Sequence, residues 1–507
     1  MPSHFSSFRQ TSRPQATARV SVLAFAVLQL TSSVPLAAEP ASKAEGKPNI
    51  VYLLADQWRA AATGYAGDPN VKTPNLDRLA KEGLNFRNAV SVCPVCTPYR
   101  AALLTGRYPT STGMFINDAH LPDTEICLAS ELKAAGYATA YIGKWHLDGH
   151  GRSAYIPPER RRGWDYWKVA ECDHGYNHSH YYAGNSDVKQ YWDGYDAFAQ
   201  TADAQQYIRD HARGPQPFVL FLSYGGPHFP HATAPQEYKA LYPPEKIILP
   251  PNVPAAQQAR ARQEAQGYYG HCTAIDKCVG ELLQTMETAG IADNTIVVFT
   301  SDHGEMLGAH GCPPTMKQVP WNEAANVPFL LRYPALHGKQ GRVVRTPLTT
   351  PDIFPTLFGL AGVKIPATVE GDDLSAVVRD GREMDDRAAL YMGVAPFAGK
   401  NFNREYRAIR TSRHTYVKTL DGAWLLFDNE KDPYQMDNLV AKPESAGLRQ
   451  ELEGRLQTSL KKIGDDFQDA GHYLKQWGYA VAPGSSLHYK EDQQLTSQTP
   501  VRKGPGR

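Results

Sequence analysis

The stretch Asn49-Ile-Val-Tyr-Leu-Leu-Ala55 decides the fold. A strand with one wet face alternates polar and apolar residues. An unbroken apolar run is what a strand buried on both faces of a parallel sheet requires. Downstream, Thr73-Pro-Asn-Leu-Asp-Arg-Leu-Ala-Lys-Glu82 reads as a helix, with Thr73 as N-cap, Pro74 in the first turn and Gly83 as the stop. The alternation continues through a helix over Leu128 to Ala135 and strands over Thr139 to Ile142 and Phe218 to Ser223. A long helix ending near Gly290 and a strand over Thr295 to Thr300 come next. This order predicts an α/β domain with a large, mixed, mostly parallel sheet flanked by helices. In such sheets, reactive groups collect beyond the carboxyl ends of the strands. Asp56-Gln57, Lys144, His146, His228 and Asp302-His303 all lie just after a predicted strand.

Outside that pattern, residues from about Tyr155 to Trp192 are irregular and rich in Tyr, Trp, His and Arg. They read either as an aromatic-cored loop insertion or as a wall facing a substrate. Pro243 to Pro254 reads as a long surface connection. Beyond about Asp386, Tyr406–Thr411, His414–Lys418 and Trp424–Asp428 are short strand-like runs with a turn at Asp421-Gly422, and a helix is expected over about Glu444 to Ile463. A small C-terminal α+β domain with an antiparallel sheet is expected, ending in a loose polar tail.

At the other end, Arg9, Arg13 and Arg19 precede the apolar run Val20 to Leu30, and small residues lead to Ala37-Ala38. A basic segment, a short apolar core and an Ala-rich exit predict a secretory signal. The run is shorter than the roughly 20 residues of a membrane span. The expected organisation is therefore a signal over 1–38, a linker over 39–46, a catalytic domain over 47–385 and a C-terminal subdomain over 386–507, with the protein exported to the periplasm or the exterior. The 507 residues carry a net charge of only +1, which argues against nucleic acid as the main partner. The seven cysteines are odd in number and suggest no disulfide framework, although Cys127, Cys172, Cys272, Cys278 and Cys312 are left open to pair.

The chemistry rests on three strings. Asp56-Gln57 makes an oxygen-rich corner suited to a cation, and Asp302-His303 in Thr300-Ser-Asp-His-Gly-Glu305 can close the same site from another strand end. The third string is Cys93-Pro-Val-Cys-Thr-Pro-Tyr-Arg-Ala-Ala-Leu-Leu-Thr-Gly-Arg107. Its C-x-P-x-R core, Cys96, Pro98 and Arg100, with Thr105-Gly-Arg107 closing the pattern, resembles the signature of type I sulfatases. In that family the cysteine is oxidised to formylglycine (3-oxoalanine) by a dedicated maturing enzyme. The resemblance runs from Pro48 to about Leu439 and implies an alkaline-phosphatase-like fold.

Sulfate-ester hydrolysis needs a strong nucleophile and a way to regenerate it without attacking sulfur again. A hydrated aldehyde supplies both, since one hydroxyl attacks and deprotonation of the other expels sulfate. Cys96 reads as the start of a helix, where the backbone dipole favours an anion. Residue by residue, the resemblance implies that Arg100 pairs with the formylglycine oxygens. Gly143-Lys-Trp-His-Leu147 resembles the family's G-K-W-H-L, making Lys144 a sulfate ligand and His146 the base or orienter on the formylglycine hydroxyl. Gly226-Pro-His228 implies His228 as general acid for the leaving alcohol. Asp56, Gln57, Cys96, Asp302 and His303 fall at the positions of one divalent cation, for which an oxygen-dominated set favours Ca²⁺.

Lys317 matches a sulfate-contacting lysine, although Cys312-Pro-Pro-Thr-Met316 lengthens the gap after His310-Gly311. His310 itself is expected near the site and off the metal. Pro351-Asp-Ile-Phe-Pro-Thr-Leu357 resembles the helix packed under the site. Export and the aromatic insertion point to a sulfated carbohydrate as substrate. Phosphonate monoester hydrolases and phosphodiesterases of the same superfamily are the alternative. An inactive carbohydrate-binding protein would have lost one of these residues.

Overall fold

The computed structural model describes residues 46–397, 402, 404–481 and 486–487. The expected signal segment, the linker up to residue 45 and the loose tail from residue 488 lie outside the described residues. The described residues cluster as one compact unit.

Among the described residues a ten-stranded sheet runs in the order Arg342–Val344, Leu84–Phe86, Phe329–Arg332, Thr295–Ser301, Asn49–Asp56, Phe218–Pro227, Ala138–Lys144, Tyr166–Ala170, His180–Ala183, Gln190–Tyr191. The apolar strand Asn49–Asp56 is its centre, paired in parallel with Phe218–Pro227 on one side and Thr295–Ser301 on the other. Ile50, Tyr52 and Leu54 feed one core, and Val51, Leu53 and Ala55 feed another. Successive side chains of a strand point to opposite faces, so both faces had to be apolar. Truncating a leucine here to alanine costs about 2–5 kcal/mol. Parallel pairing holds the centre and antiparallel pairs follow on both sides, with the edge strand Arg342–Val344 again parallel to Leu84–Phe86, giving the mixed sheet expected.

The aromatic insertion differs from its expected irregularity, because three of its segments are strands that extend the sheet. Tyr166–Ala170 pairs in parallel with Ala138–Lys144, and His180–Ala183 and Gln190–Tyr191 add antiparallel strands. These strands are only five, four and two residues long, with Gly, Asp, Asn and His in the turns between them, so no long alternation shows. Trp164 and Trp167 are core, packing on Tyr141 at 5.3 and 5.9 Å between ring centres. The same insertion leaves Tyr191 51% exposed, stacked on His178 at 4.3 Å.

Helix Cys96–Thr105 is buried along its whole length, and helix Ile353–Ala361 packs beneath it in the same core. The long helix spans Ala255–Thr288. The C-terminal part forms a four-stranded antiparallel sheet, Ala389–Gly393, Tyr406–Arg410, His414–Thr419 and Gly422–Asp428, one strand more than expected. Gly422, at φ +119, makes the expected turn. Helix Ala446–Ile463 buries Leu452, Leu456 and Leu460 at intervals of four, one helical face. All seven cysteines are buried, free thiols. Among the described residues no helix is long and apolar enough to cross a membrane.

Candidate active site

The carboxyl ends of the central strands carry the site. Asp56 ends Asn49–Asp56, Lys144 ends Ala138–Lys144, His228 follows Phe218–Pro227, and Asp302 follows Thr295–Ser301. Close approach of two of these strands depends on Gly143, since a Cβ there would lie 2.0 Å from the Ser223 carbonyl oxygen and its φ is +101. Cys96 opens helix Cys96–Thr105, whose first turn has no capping side chain on Val95; the Thr97 N–H donates instead to Asn117 Oδ1 at 3.1 Å.

These elements converge on one sulfur atom. Cys96 Sγ lies 3.3 Å from His303 Nε2, 3.5 Å from Lys317 Nζ, and 3.8 Å from both Lys144 Nζ and Asp56 Oδ1. Arg100 donates one guanidinium nitrogen to Asp56 Oδ2 at 3.0 Å and Asp302 Oδ2 at 3.1 Å, and the other to Ser223 Oγ and the Lys144 carbonyl. Lys144 Nζ reaches Asp56 Oδ2 at 2.6 Å. The long gap before Lys317 is therefore spanned, and its ammonium also contacts Gln57 Oε1 at 3.0 Å and His228 Nε2 at 2.9 Å. His310 stacks on Trp321 and meets Asn252 and Glu323, and its described contacts include none of the cluster.

The donor set fits a divalent cation. Asp56, Cys96, Asp302 and His303, all buried, each offer a ligand atom within 4.8 Å of the others. His303 Nδ1 donates to the Gly304 carbonyl at 3.0 Å, so the Nε2 lone pair faces the carboxylates. Gln57, at φ +67, donates its amide N–H to Glu305 Oε2 at 2.5 Å, which turns Oε1 inward. A second group, His120, Asp148 and His150, also brings its ligand atoms within 4.8 Å of one another. There Arg160 already forks onto the Asp148 carboxylate at 2.7 and 3.1 Å, and both imidazole Nδ1 atoms lie at hydrogen-bond distance from the Asp148 carbonyl.

Charge is distributed unevenly around the sulfur. Burial raises the Asp56 carboxyl, but Lys144, His228 and Arg100 outweigh it and hold it well below its usual range. Burial and the Asp56 charge push Asp302 up to about 6. Burial and Asp56 also oppose ionisation of Cys96, yet Lys144, Lys317 and His303 hold that thiol well below its ordinary value. The position is thus built to hold an anion. Burial, then Lys317 and His174, drive His228 well below its usual value. Its Nδ1 donates to the Phe229 carbonyl at 2.6 Å, and its Nε2 accepts from the Lys317 ammonium. One proton is thereby shared by the pair Lys317–His228, with His174 stacked on His228 at 4.3 Å.

His146, at φ +60, presents Nε2 to Asp118 Oδ1 at 2.7 Å, while its buried Nδ1 has no hydrogen-bond partner. Burial works against its charge, but Cys172, Asp118 and Cys96 raise its pKa, and the Cys96 share of that rise would go with the sulfur. Sequence reasoning missed Asp118, Glu171 and Glu305. Glu171 accepts from the backbone N–H groups of Leu147, Asp148 and Gly149 and pins the loop after His146. Each is a buried carboxylate aimed at a loop, and only the Asp302-His-Gly-Glu305 string carried a visible signal, at its last position.

Residues 48–363 match the family model described as Sulfatase, and residues 314–462 match the one described as N-sulphoglucosamine sulphohydrolase, C-terminal. The chain is 54% identical over 433 residues, 85% of each protein, to the ulvan-active sulfatase of Formosa agariphila. It is 29% identical over 484 residues to an endo-4-O-sulfatase of Bacteroides thetaiotaomicron, covering 82% of this chain and 92% of that one. A crystal structure named as a sulfatase from Bacteroides fragilis superposes with a TM-score of 0.76 at 32% identity, covering 84% of this chain and 97% of the other. The cluster around Cys96, the mixed sheet beneath it and these likenesses agree: the chain belongs to the sulfatase family, hydrolases of sulfate esters with the alkaline-phosphatase-like fold.

Proposed function

We propose that the protein removes sulfate esters from a carbohydrate, a sulfated polysaccharide or its oligosaccharides, after Cys96 has been oxidised to formylglycine by a maturing enzyme and with Ca²⁺ at the carboxylate corner. The observation that carries the reading is the ring of Lys144, Lys317, His303 and Asp56 within 3.8 Å of Cys96 Sγ. The hydrated aldehyde, when formed, supplies the nucleophilic hydroxyl. Asp56, Asp302, His303 and the Gln57 amide oxygen would hold the cation, which would polarise the sulfate; ligation dominated by oxygen is the Ca²⁺ habit. Lys144 and Lys317 are spaced to bind sulfate oxygens. Arg100 fixes the two carboxylates. His146 takes a proton at the formylglycine hydroxyl, and the proton held between Lys317 and His228 passes to the leaving oxygen.

A carbohydrate is favoured because flat, partly exposed rings flank the nucleophile. His174 lies on His228, and in the same insertion Tyr191 of the strand Gln190–Tyr191 stacks on His178, just before His180–Ala183. The names of the relatives, one ulvan-active and one an endo-4-O-sulfatase, point the same way. The basic, apolar and Ala-rich segments of residues 1–38 support export, where such polymers are met.

The test is a turnover panel of sulfated oligosaccharides, an aryl sulfate and phosphodiesters, run on protein whose intact mass shows Cys96 converted. Faster turnover of a phosphodiester than of every sulfate overturns the reading. Turnover of aryl sulfate alone removes the carbohydrate part of it.

A further inference from the structure

Thr97, the residue after the nucleophile, ties two strained positions together. Its Oγ1 donates to the His146 carbonyl at 3.0 Å and accepts from the Asp118 N–H at 3.3 Å. Asp118 and His146 both sit in the left-handed region, at φ +69 and +60, where a residue other than glycine is strained. The two side chains then meet, His146 Nε2 against Asp118 Oδ1 at 2.7 Å, with both residues buried. Arg152 approaches the other carboxylate oxygen at 3.9 Å. Strain at two facing residues persists only where surrounding contacts over-determine it. Here the contacts form a closed ring that begins one residue from Cys96.

We propose that Asp118 is a positioning residue of the sulfatase reaction: its carboxylate takes the Nε2–H of His146 and so leaves the Nδ1 lone pair facing the nucleophile as proton acceptor. The orphaned, buried Nδ1 is the nitrogen this leaves available. In the transfer, the hydroxyl O–H bond breaks, its electron pair stays on oxygen and the proton bonds to Nδ1. The positive charge that appears on the ring is met by Asp118 across Nε2–H. A carboxylate behind a histidine in this way fixes tautomer and orientation and steadies the imidazolium. The inference rests on the reading that His146 acts on the formylglycine hydroxyl.

The experiment is a double-mutant cycle on the matured, cation-loaded enzyme with its best sulfated substrate. Asp118→Asn is expected to lower kcat on the order of 10²-fold while KM moves less than about threefold. His146→Ala is expected to lower kcat at least as far. The combined variant should fall no lower than His146→Ala alone, because Asp118 acts through that ring. Asp118→Glu, which keeps the charge and displaces it, is the second arm should the asparagine variant fail to fold; it is expected to lose kcat at an unchanged melting temperature. Wild-type kcat in Asp118→Asn, or a further loss when it is added to His146→Ala, overturns the role of Asp118. Wild-type kcat in His146→Ala overturns the underlying reading of His146 instead.

Discussion

Arg100 and Arg407 are both buried, at 2% and 0% exposed, and they solve the problem of a buried charge in opposite ways. Arg407, on the Tyr406–Arg410 strand, is fully answered. Nε and one terminal nitrogen fork onto Asp465, that same terminal nitrogen meets the Tyr473 hydroxyl, and the other reaches the Tyr406 carbonyl. Phe467 lies 4.6 Å beneath the guanidinium. Arg100 is not. Its Nε has no partner, one nitrogen is divided between two carboxylates, and two further cations, Lys144 and Lys317, crowd the same few ångströms. A closed ion pair ties the C-terminal sheet to the segment Asp465–Tyr473, whereas around Arg100 several cations and carboxylates share partners in an open cluster of mixed charge. Completeness of pairing, more than burial, separates scaffold from site.

The comparison breaks most visibly at the nucleophile. Cys96→Ala should reduce sulfate release on the order of 10⁴-fold or more, since loss of a nucleophile removes the covalent route altogether. The unfolding free energy should fall by only about 1 kcal/mol, the scale of one small buried group. Sulfate release within roughly tenfold of the wild type would remove the cluster from the chemistry.

Next in size is the scaffold pair. Arg407→Ala leaves the buried Asp465 carboxylate without its cation, held only by the Tyr473 hydroxyl and the Phe467 N–H, and should cost about 3 kcal/mol in urea unfolding, with kcat of the folded enzyme unchanged. Replacing both partners, Arg407→Met with Asp465→Leu, should cost much less, because no charge is then stranded. An equal loss in the single and double variants would show that packing on Phe467, and not charge, carries the effect.

The cation tests the open cluster from the ligand side. A ligand that binds only the folded state stabilises it by about 2.7 kcal/mol at a hundredfold excess over its Kd. Calcium added to chelator-treated protein should therefore raise the melting temperature. Asp302→Asn should abolish the rise, and Asp465→Asn should leave it intact. A rise that survives Asp302→Asn would place the cation elsewhere.

Much of the site is legible in the sequence, for a physical reason. Its motif residues sit directly after apolar runs, and a strand buried on both faces announces itself by lacking alternation, so Asp56, Lys144, His228 and Asp302 fall at one sheet edge. Strands of the aromatic insertion escape because they are short, separated by turns that hold Gly and Asp, and leave no long alternating run. Asp118 escapes for a different reason. Its importance lies in a φ of +69 and in a partner 28 residues away, neither of which leaves a mark on the string Phe115-Ile-Asn-Asp-Ala119. Glu305 lies inside a visible motif, but its work does not show there, since its partner is the amide of Gln57, 248 residues away.

The smallest effect is on the pH dependence of stability, and there the two regions should differ in sign. Burial raises Asp465, but Arg407 and its hydrogen bonds outweigh that and keep the carboxyl below its ordinary value. A depressed carboxyl contributes stability above its unfolded pKa of about 3.9 and loses it as pH falls through the folded value. Asp302 is pushed up to about 6 instead. Between about pH 4 and 6 the native protein holds a proton that the unfolded chain has released, so in chelator-treated protein this group makes stability fall as pH rises. Binding of a cation requires the ionised carboxylate and should cancel that fall. Urea midpoints measured from about pH 4 to 7 separate the two. Asp465→Asn should flatten only the acid limb, and added calcium should remove only the decline toward neutrality. If Asp465→Asn and the wild type lose stability in parallel below about pH 5, the Arg407 pair does not set the acid limb, and the contrast between closed and open clusters then rests on ligand binding alone.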